Sequence, residues 1–167
     1  PLVDIHGKSM IQRVYEKCLK AKLNRVVVAT DDERIFEHVK NFGGEIVMTS
    51  NSHESGTDRI AEAAKILQLS EDAIILNIQG DEPFIDPEDI NTLAHCFNEE
   101  RTQIATLVKV IKDVEILLSS NSPKVALGLR GQALYFSREA IPHLRGVEKK
   151  DWLSKQTYYQ HVGIYAF

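Results

Sequence analysis

Short β-branched runs alternate with amphipathic segments of helix length along the first half of the chain, and few folds accept that order. "RVVVATDD" (25–32) and "EIVM" (45–48) are strand-like, and "AIILNI" (73–78) reads as a buried strand. Between them, Met10, Ile11, Val14, Tyr15, Cys18 and Leu19 line one helical stripe, with Ser9 placed to cap it. Ile35, Phe36, Val39 and Phe42 mark a second helix, stopped by Gly43-Gly44, and Ile60, Ala63, Ala64 and Leu67 a third. Asp86 and Pro87 have the character of N-cap and first position of a fourth, carrying Ile90, Leu93, Ala94 and Phe97. Strands separated by helix-length segments predict an α/β fold with a mostly parallel sheet and crossover helices.

After "IATLVKVI" (104–111) the rhythm changes. "KVALGLRGQALYFS" (124–137) predicts two strands about a glycine-containing turn, and "YYQHVGIYAF" (158–167) a further strand. The second half is therefore expected to be a β-rich elaboration of the α/β core. No repeat, low-complexity tract or linker interrupts the chain, and residues 1–167 are expected to form a single domain.

Charge narrows the function classes. A formal net charge of -4 leaves no basic excess to neutralise a nucleic-acid backbone, although small anionic substrates respond to local charge. No apolar run approaches the ~20 residues of a membrane helix, so no membrane insertion is expected. Cys18 and Cys96 lie far apart in helix-like segments and are expected to be reduced core thiols. The histidines show no H-E-x-x-H spacing, and no G-x-S-x-G, P-loop or G-x-G-x-x-G motif occurs.

In open parallel sheets, ligands bind beyond the carboxyl ends of the strands. "LNIQGDEPFID" (76–86) puts Gln79, Asp81 and Glu82 at such an end. Gly80 permits close approach of a ligand and Pro83 stiffens the exit. Asp81 suits Mg²⁺, which takes one or two carboxylates plus substrate phosphates, or it belongs to a solvated turn. "SGTDR" (55–59) precedes a helix, where free N–H groups favour an anion or polar edge, and Arg59 adds a planar donor fork; a plain N-cap is the other reading. Arg138 after "YFS", and His161 and Tyr165 in "HVGIY", are polar groups on otherwise apolar strands.

In order and spacing, "PLVDIHGKSMI", "VVVATDD", "SGTDR", "NIQGDEPFI", "ALYFSR", "IPHLRG" and "HVGIYAF" closely resemble the 3-deoxy-manno-octulosonate (KDO) cytidylyltransferases, over nearly all of the chain. The resemblance implies a Rossmann-like nucleotidyltransferase fold and a cytoplasmic enzyme of lipopolysaccharide synthesis. It implies transfer of CMP from CTP to KDO with release of pyrophosphate, with Mg²⁺ as cofactor and a homodimer in the complete protein. Asp81 is then the metal ligand, and Gln79 faces the sugar. Ser55, Thr57 and Arg59 fall on the cytidine side, and Arg138, His161 and Tyr165 on the sugar side.

CMP-sialic acid synthetase and other sugar nucleotidyltransferases share this logic, and an inactive nucleotide- or sugar-binding fragment is the reading of another class. The chain opens at Pro1 without Met and ends inside a strand-like segment, which reads as part of a longer protein. Relative to the resembled family it is expected to lack a basic triphosphate loop before residue 1 and a second metal aspartate after residue 167. On that reading these 167 residues alone are not expected to make CMP-KDO.

Overall fold

A computed structural model describes residues 1–167, which divide into two compact units: residues 1–105 with 164–167, and residues 106–163.

The first unit opens with a two-residue hairpin, β1 (Asp4–Ile5) and β2 (Lys8–Ser9), and runs directly into α1 (Met10–Cys18). Ser9 caps α1 by accepting a hydrogen bond from Gln12 N at 3.2 Å. The stripe read from the sequence buries Ile11, Val14 and Cys18, and Leu19 is exposed. Strand β3 (Val28–Thr30), α2 (Glu33–Asn41) and β4 (Ile46–Met48) follow. β3 and β4 pair in parallel, with Val28 opposite Ile46 and Thr30 opposite Met48. The turn after α2 depends on Gly43, at φ 78°, and Gly44 N closes it on Val39 O at 2.9 Å.

α3 (Gly56–Ile66), β5 (Leu76–Asn77) and α4 (Pro87–His95) complete the run. Asp86 caps α4 through Glu88 N, and Pro87 occupies its first turn, as the sequence indicates. Ile90 and Leu93 are wholly buried, and Val39 of α2 likewise. The third predicted strand is shorter than 73–78: Leu76 pairs with Ala166 and Asn77 with Tyr165, antiparallel. Ile74, outside that ladder, is exposed.

The second unit carries β6 (Ala105–Val110), α5 (Val114–Leu118), β7 (Lys124–Leu127), β8 (Ala133–Ser137), α6 (Trp152–Lys155) and most of β9 (Tyr159–Ala166). β7 and β8 form the expected antiparallel hairpin, with Gly131 at φ 81° in the turn. β7 also pairs antiparallel with β9, Lys124 lying opposite Gln160. Beside these strands Ile111, Leu117, Trp152 and Tyr158 form a buried cluster. The Trp152 and Tyr158 rings stack with centroids 6.0 Å apart. Both polar tips are satisfied, Trp152 Nε1 donating to Val147 O at 2.9 Å and Tyr158 Oη to Pro142 O at 2.8 Å.

One expectation needs correction. Cys18 is buried, and burial pushes its thiol pKa up to about 11, but Cys96 is exposed at the end of α4. The helical stripe there ends before residue 96, and its sulfur only reaches Thr92 O.

Candidate nucleotide site

The parallel pairing of β3 and β4 brings their carboxyl ends out side by side. Thr49 N donates to Thr30 O at 2.8 Å, completing the pairing of Thr30 with Met48, so Asp31 and Thr49 emerge as neighbours. Arg59, one turn into α3, fastens both. Its Nη2 pairs with Asp31 Oδ2 at 2.8 Å, and its Nη1 donates to Thr49 Oγ1 at 2.7 Å and Ser50 O at 3.4 Å. The guanidinium fork suits three acceptors in one plane better than a lysine would. Arg59 also holds the Asp31 carboxyl below the usual carboxylate range.

The next aspartate is occupied too. Asp32 caps α2 through Arg34 N and takes the Arg34 guanidinium, which brings its pKa down to about 2.

The loop into α3 is fixed by Glu62. Its Oε2 accepts from Ser50 N at 2.8 Å and bonds His53 Nε2, and these contacts keep the Glu62 carboxyl low. Ser55 is the N-cap: Oγ accepts from Asp58 N at 3.2 Å and donates to Asp58 Oδ2 at 2.6 Å. Of the three residues assigned to the nucleotide, Thr57 alone has a hydroxyl that no group of the chain engages, and it is exposed.

The start of α3 faces the end of β5. A Cβ placed on Gly56 would stand 3.7 Å from both Asn77 Nδ2 and Gln79 Nε2. Gln79 Nε2 donates to Asn77 Oδ1 at 3.1 Å, and the buried Asn77 lies in register with Tyr165. Thus Ser55, Gly56, Thr57, Gln79 and Tyr165 belong to one neighbourhood of the first unit. Gly80 packs on Ile11, where a Cβ would come within 3.2 Å of Cδ1.

Asp81 follows, exposed, and no hydrogen bond or ion pair of the chain engages its carboxylate. With Asp31 and Asp32 held by arginines, Asp81 is the strand-end aspartate left available to a cation. No group of three or more His, Cys, Asp or Glu side chains is arranged to hold a metal. A single unengaged carboxylate is a ligand of the type that magnesium takes from protein, where one or two carboxylates suffice.

Arg138 and His161 lie in the second unit. Lys124 pairs with Ser137 on one side and Gln160 on the other, and His161 N donates to Pro123 O at 2.9 Å. That register places Arg138 and His161 to either side of Pro123, on the face opposite the Lys124 side chain. Phe136, on the same face, meets the His161 ring edge-on at 5.1 Å. His161 Nε2 bonds Thr106 Oγ1 at 2.9 Å, and burial lowers the ring's pKa, favouring neutral imidazole. Arg138 Nη1 donates to Ser120 O at 3.1 Å.

A family model described as cytidylyltransferase matches residues 1–167. The chain belongs to the cytidylyltransferase family. Similar cytidylyltransferases include the 3-deoxy-manno-octulosonate cytidylyltransferase of Parabacteroides distasonis, 52% identical over 171 residues, matched to the whole of this chain and 67% of that protein. The enzyme of the same name from Porphyromonas gingivalis is 53% identical over 170 residues, covering all of this chain and 66% of its own. A solved structure of CMP:2-keto-3-deoxy-manno-octonic acid synthetase complexed with CTP superimposes with a TM-score of 0.89 at 43% identity, over all of this chain and 66% of the other. The chain thus spans about two thirds of the length of the relatives it matches.

For this cytidylyltransferase chain, sequence reasoning missed the supports of the site. Asn77 ends a strand, and Asp31 and Thr49 each directly follow one, with a polar side chain, a signal available in the sequence. His53 and Glu62 carried no such signal, because their pairing depends on how the loop before α3 folds back.

Proposed function

We propose that the protein containing this chain transfers CMP from CTP to KDO, giving CMP-KDO and pyrophosphate. The observation that carries the reading is the arrangement of the α3 start, with Gly56 beside Asn77 and Gln79, two residues before the unengaged Asp81. The 43% identity over the whole chain to a synthetase complexed with CTP supports it.

In the proposed reaction the anomeric hydroxyl of KDO attacks the α-phosphorus of CTP. The bond to the bridging oxygen breaks, pyrophosphate leaves with that electron pair, and the hydroxyl proton is lost. Such a transfer needs in-line placement and neutralised phosphate charge more than covalent help. Magnesium, when bound, would supply that neutralisation, with Asp81 holding it and Glu82 adding negative charge nearby. Thr57 and the backbone N–H groups at the start of α3 take the cytidine side, on a scaffold that Ser55 caps and Arg59 ties to the strand ends.

Gln79 and Tyr165 offer an amide and a phenol to sugar hydroxyls in the first unit. In the second, Arg138 brings a permanent cation suited to a carboxylate, and neutral His161 a hydrogen bond for a hydroxyl. We further propose a cytoplasmic homodimer. The edge strand β8 supports the dimer, since Leu134, Tyr135 and Phe136 are all exposed on it. No helix is long and apolar enough to cross a membrane.

The test is pyrophosphate release from CTP and Mg²⁺ by the protein containing this chain, with KDO or sialic acid as acceptor. CMP-KDO formation with KDO supports the reading. Turnover with sialic acid and none with KDO overturns it.

A further inference from the structure

Lys124 is a lysine with no exposed surface, on a strand between two others. Burying an ammonium is costly unless its donors are satisfied, and a carboxylate is the usual partner. Here the partners are backbone carbonyls: Nζ donates to Ser119 O at 2.7 Å and to Ser122 O at 2.5 Å. Ser122 Oγ, buried in the same place, has no partner, while Asn121 N donates to Ser119 Oγ and Ser122 N to Ser119 O, each at 3.2 Å. The ammonium adds to this turn a grip on both ends of residues 119–122. Between those ends lies Ser120, whose carbonyl accepts the Arg138 guanidinium at 3.1 Å. Burial is the main cause lowering the Lys124 pKa, and the Arg138 charge adds to it while Glu139 opposes.

From this geometry we propose that Lys124 is a positioning residue for Arg138: it fixes the 119–122 loop so that Ser120 O holds the guanidinium in its sugar-binding orientation. The proposal rests on the assignment of Arg138 to the sugar given above. Lys124 itself touches no substrate; its side chain lies on the opposite face of the sheet from Arg138.

The experiment compares Lys124→Met, Arg138→Ala and the double variant in the protein containing this chain. KM for KDO, KM for CTP and kcat are measured, with circular dichroism as a check on folding. Lys124→Met should raise KM for KDO roughly tenfold or more, as expected for one impaired charge-assisted contact, and KM for CTP by less than about twofold. The double variant should match Arg138→Ala alone, because Lys124 acts through Arg138. Effects that multiply in the double variant, or equal rises for both substrates, overturn the proposal while leaving the sugar assignment standing. An Arg138→Ala variant with unchanged KM for KDO overturns the assignment, and the proposal with it.

Should Lys124→Met fail to fold, amide hydrogen exchange in Arg138→Ala decides. Residues 119–122 should keep their protection there, because Lys124 still grips them. Protection lost with Arg138 would show that the arginine holds the loop, and would overturn the proposal.

Discussion

Arg59 and Asp31, far apart in sequence, meet at 2.8 Å and join the start of α3 to the carboxyl end of β3. The same guanidinium reaches Thr49 beyond the end of β4, so one side chain sets the spacing of three elements around the candidate nucleotide site. Arg59→Lys keeps the charge but cannot serve Thr49 and Asp31 together in one plane. It should lower the melting midpoint only slightly, since exposed ion pairs contribute little, yet raise KM for CTP clearly more than KM for KDO. Equal rises for the two substrates, read from initial rates, would count against a nucleotide-side role.

Asp81 is predicted to hold the metal. Asp81→Asn in the protein containing this chain should abolish Mg²⁺-dependent turnover with the circular dichroism spectrum unchanged, because an amide supplies no charge and the side chain has no structural bond to lose. Glu82→Gln should cost less. Near-normal turnover of Asp81→Asn at ordinary Mg²⁺ would remove the assignment.

His161 makes stability depend on pH with a definite sign. Burial lowers its pKa in the folded state below the ordinary histidine value, so the unfolded chain binds the proton more readily. The contribution is complete above about pH 6.5, the unfolded histidine value, and is lost as pH falls toward the lower folded pKa. His161→Gln should flatten the fall in urea midpoint across that window. An unchanged slope would mean that the proton taken up on unfolding binds elsewhere.

Trp152 anchors the second unit's cluster, 2% exposed and stacked on Tyr158. Trp152→Ala should destabilise by about 3–5 kcal/mol, from lost burial and the cavity left behind. Urea unfolding followed by tyrosine fluorescence and circular dichroism would measure it, and a cost below about 1 kcal/mol would contradict the packing described.

Local signals were legible and pairings were not. Ser9 and Asp86 each declared a helix start in the sequence, since a capping side chain acts within a few residues of itself. The β7–β8 hairpin was legible for the same reason. The partner of β5 was not, because Asn77 meets Tyr165 only after most of the chain has intervened. At the site, Gln79, Asp81 and the SGTDR segment could be located from strand ends and caps. The roles of Asp31, Glu62 and Lys124 could not, as each depends on a long-range or loop contact that carries no periodicity.

Gly56 begins α3 with 3.7 Å between its missing side chain and the amides of Asn77 and Gln79, which is ordinary contact distance. An alanine would therefore fit the folded protein, and it would favour the helix more than glycine does. The native residue leaves that stability unused and keeps a methyl-sized opening instead. Gly56→Ala thus separates two quantities usually confounded in mutagenesis: the fold should be no weaker, and any loss of CTP affinity would measure the clearance a bound nucleotide requires.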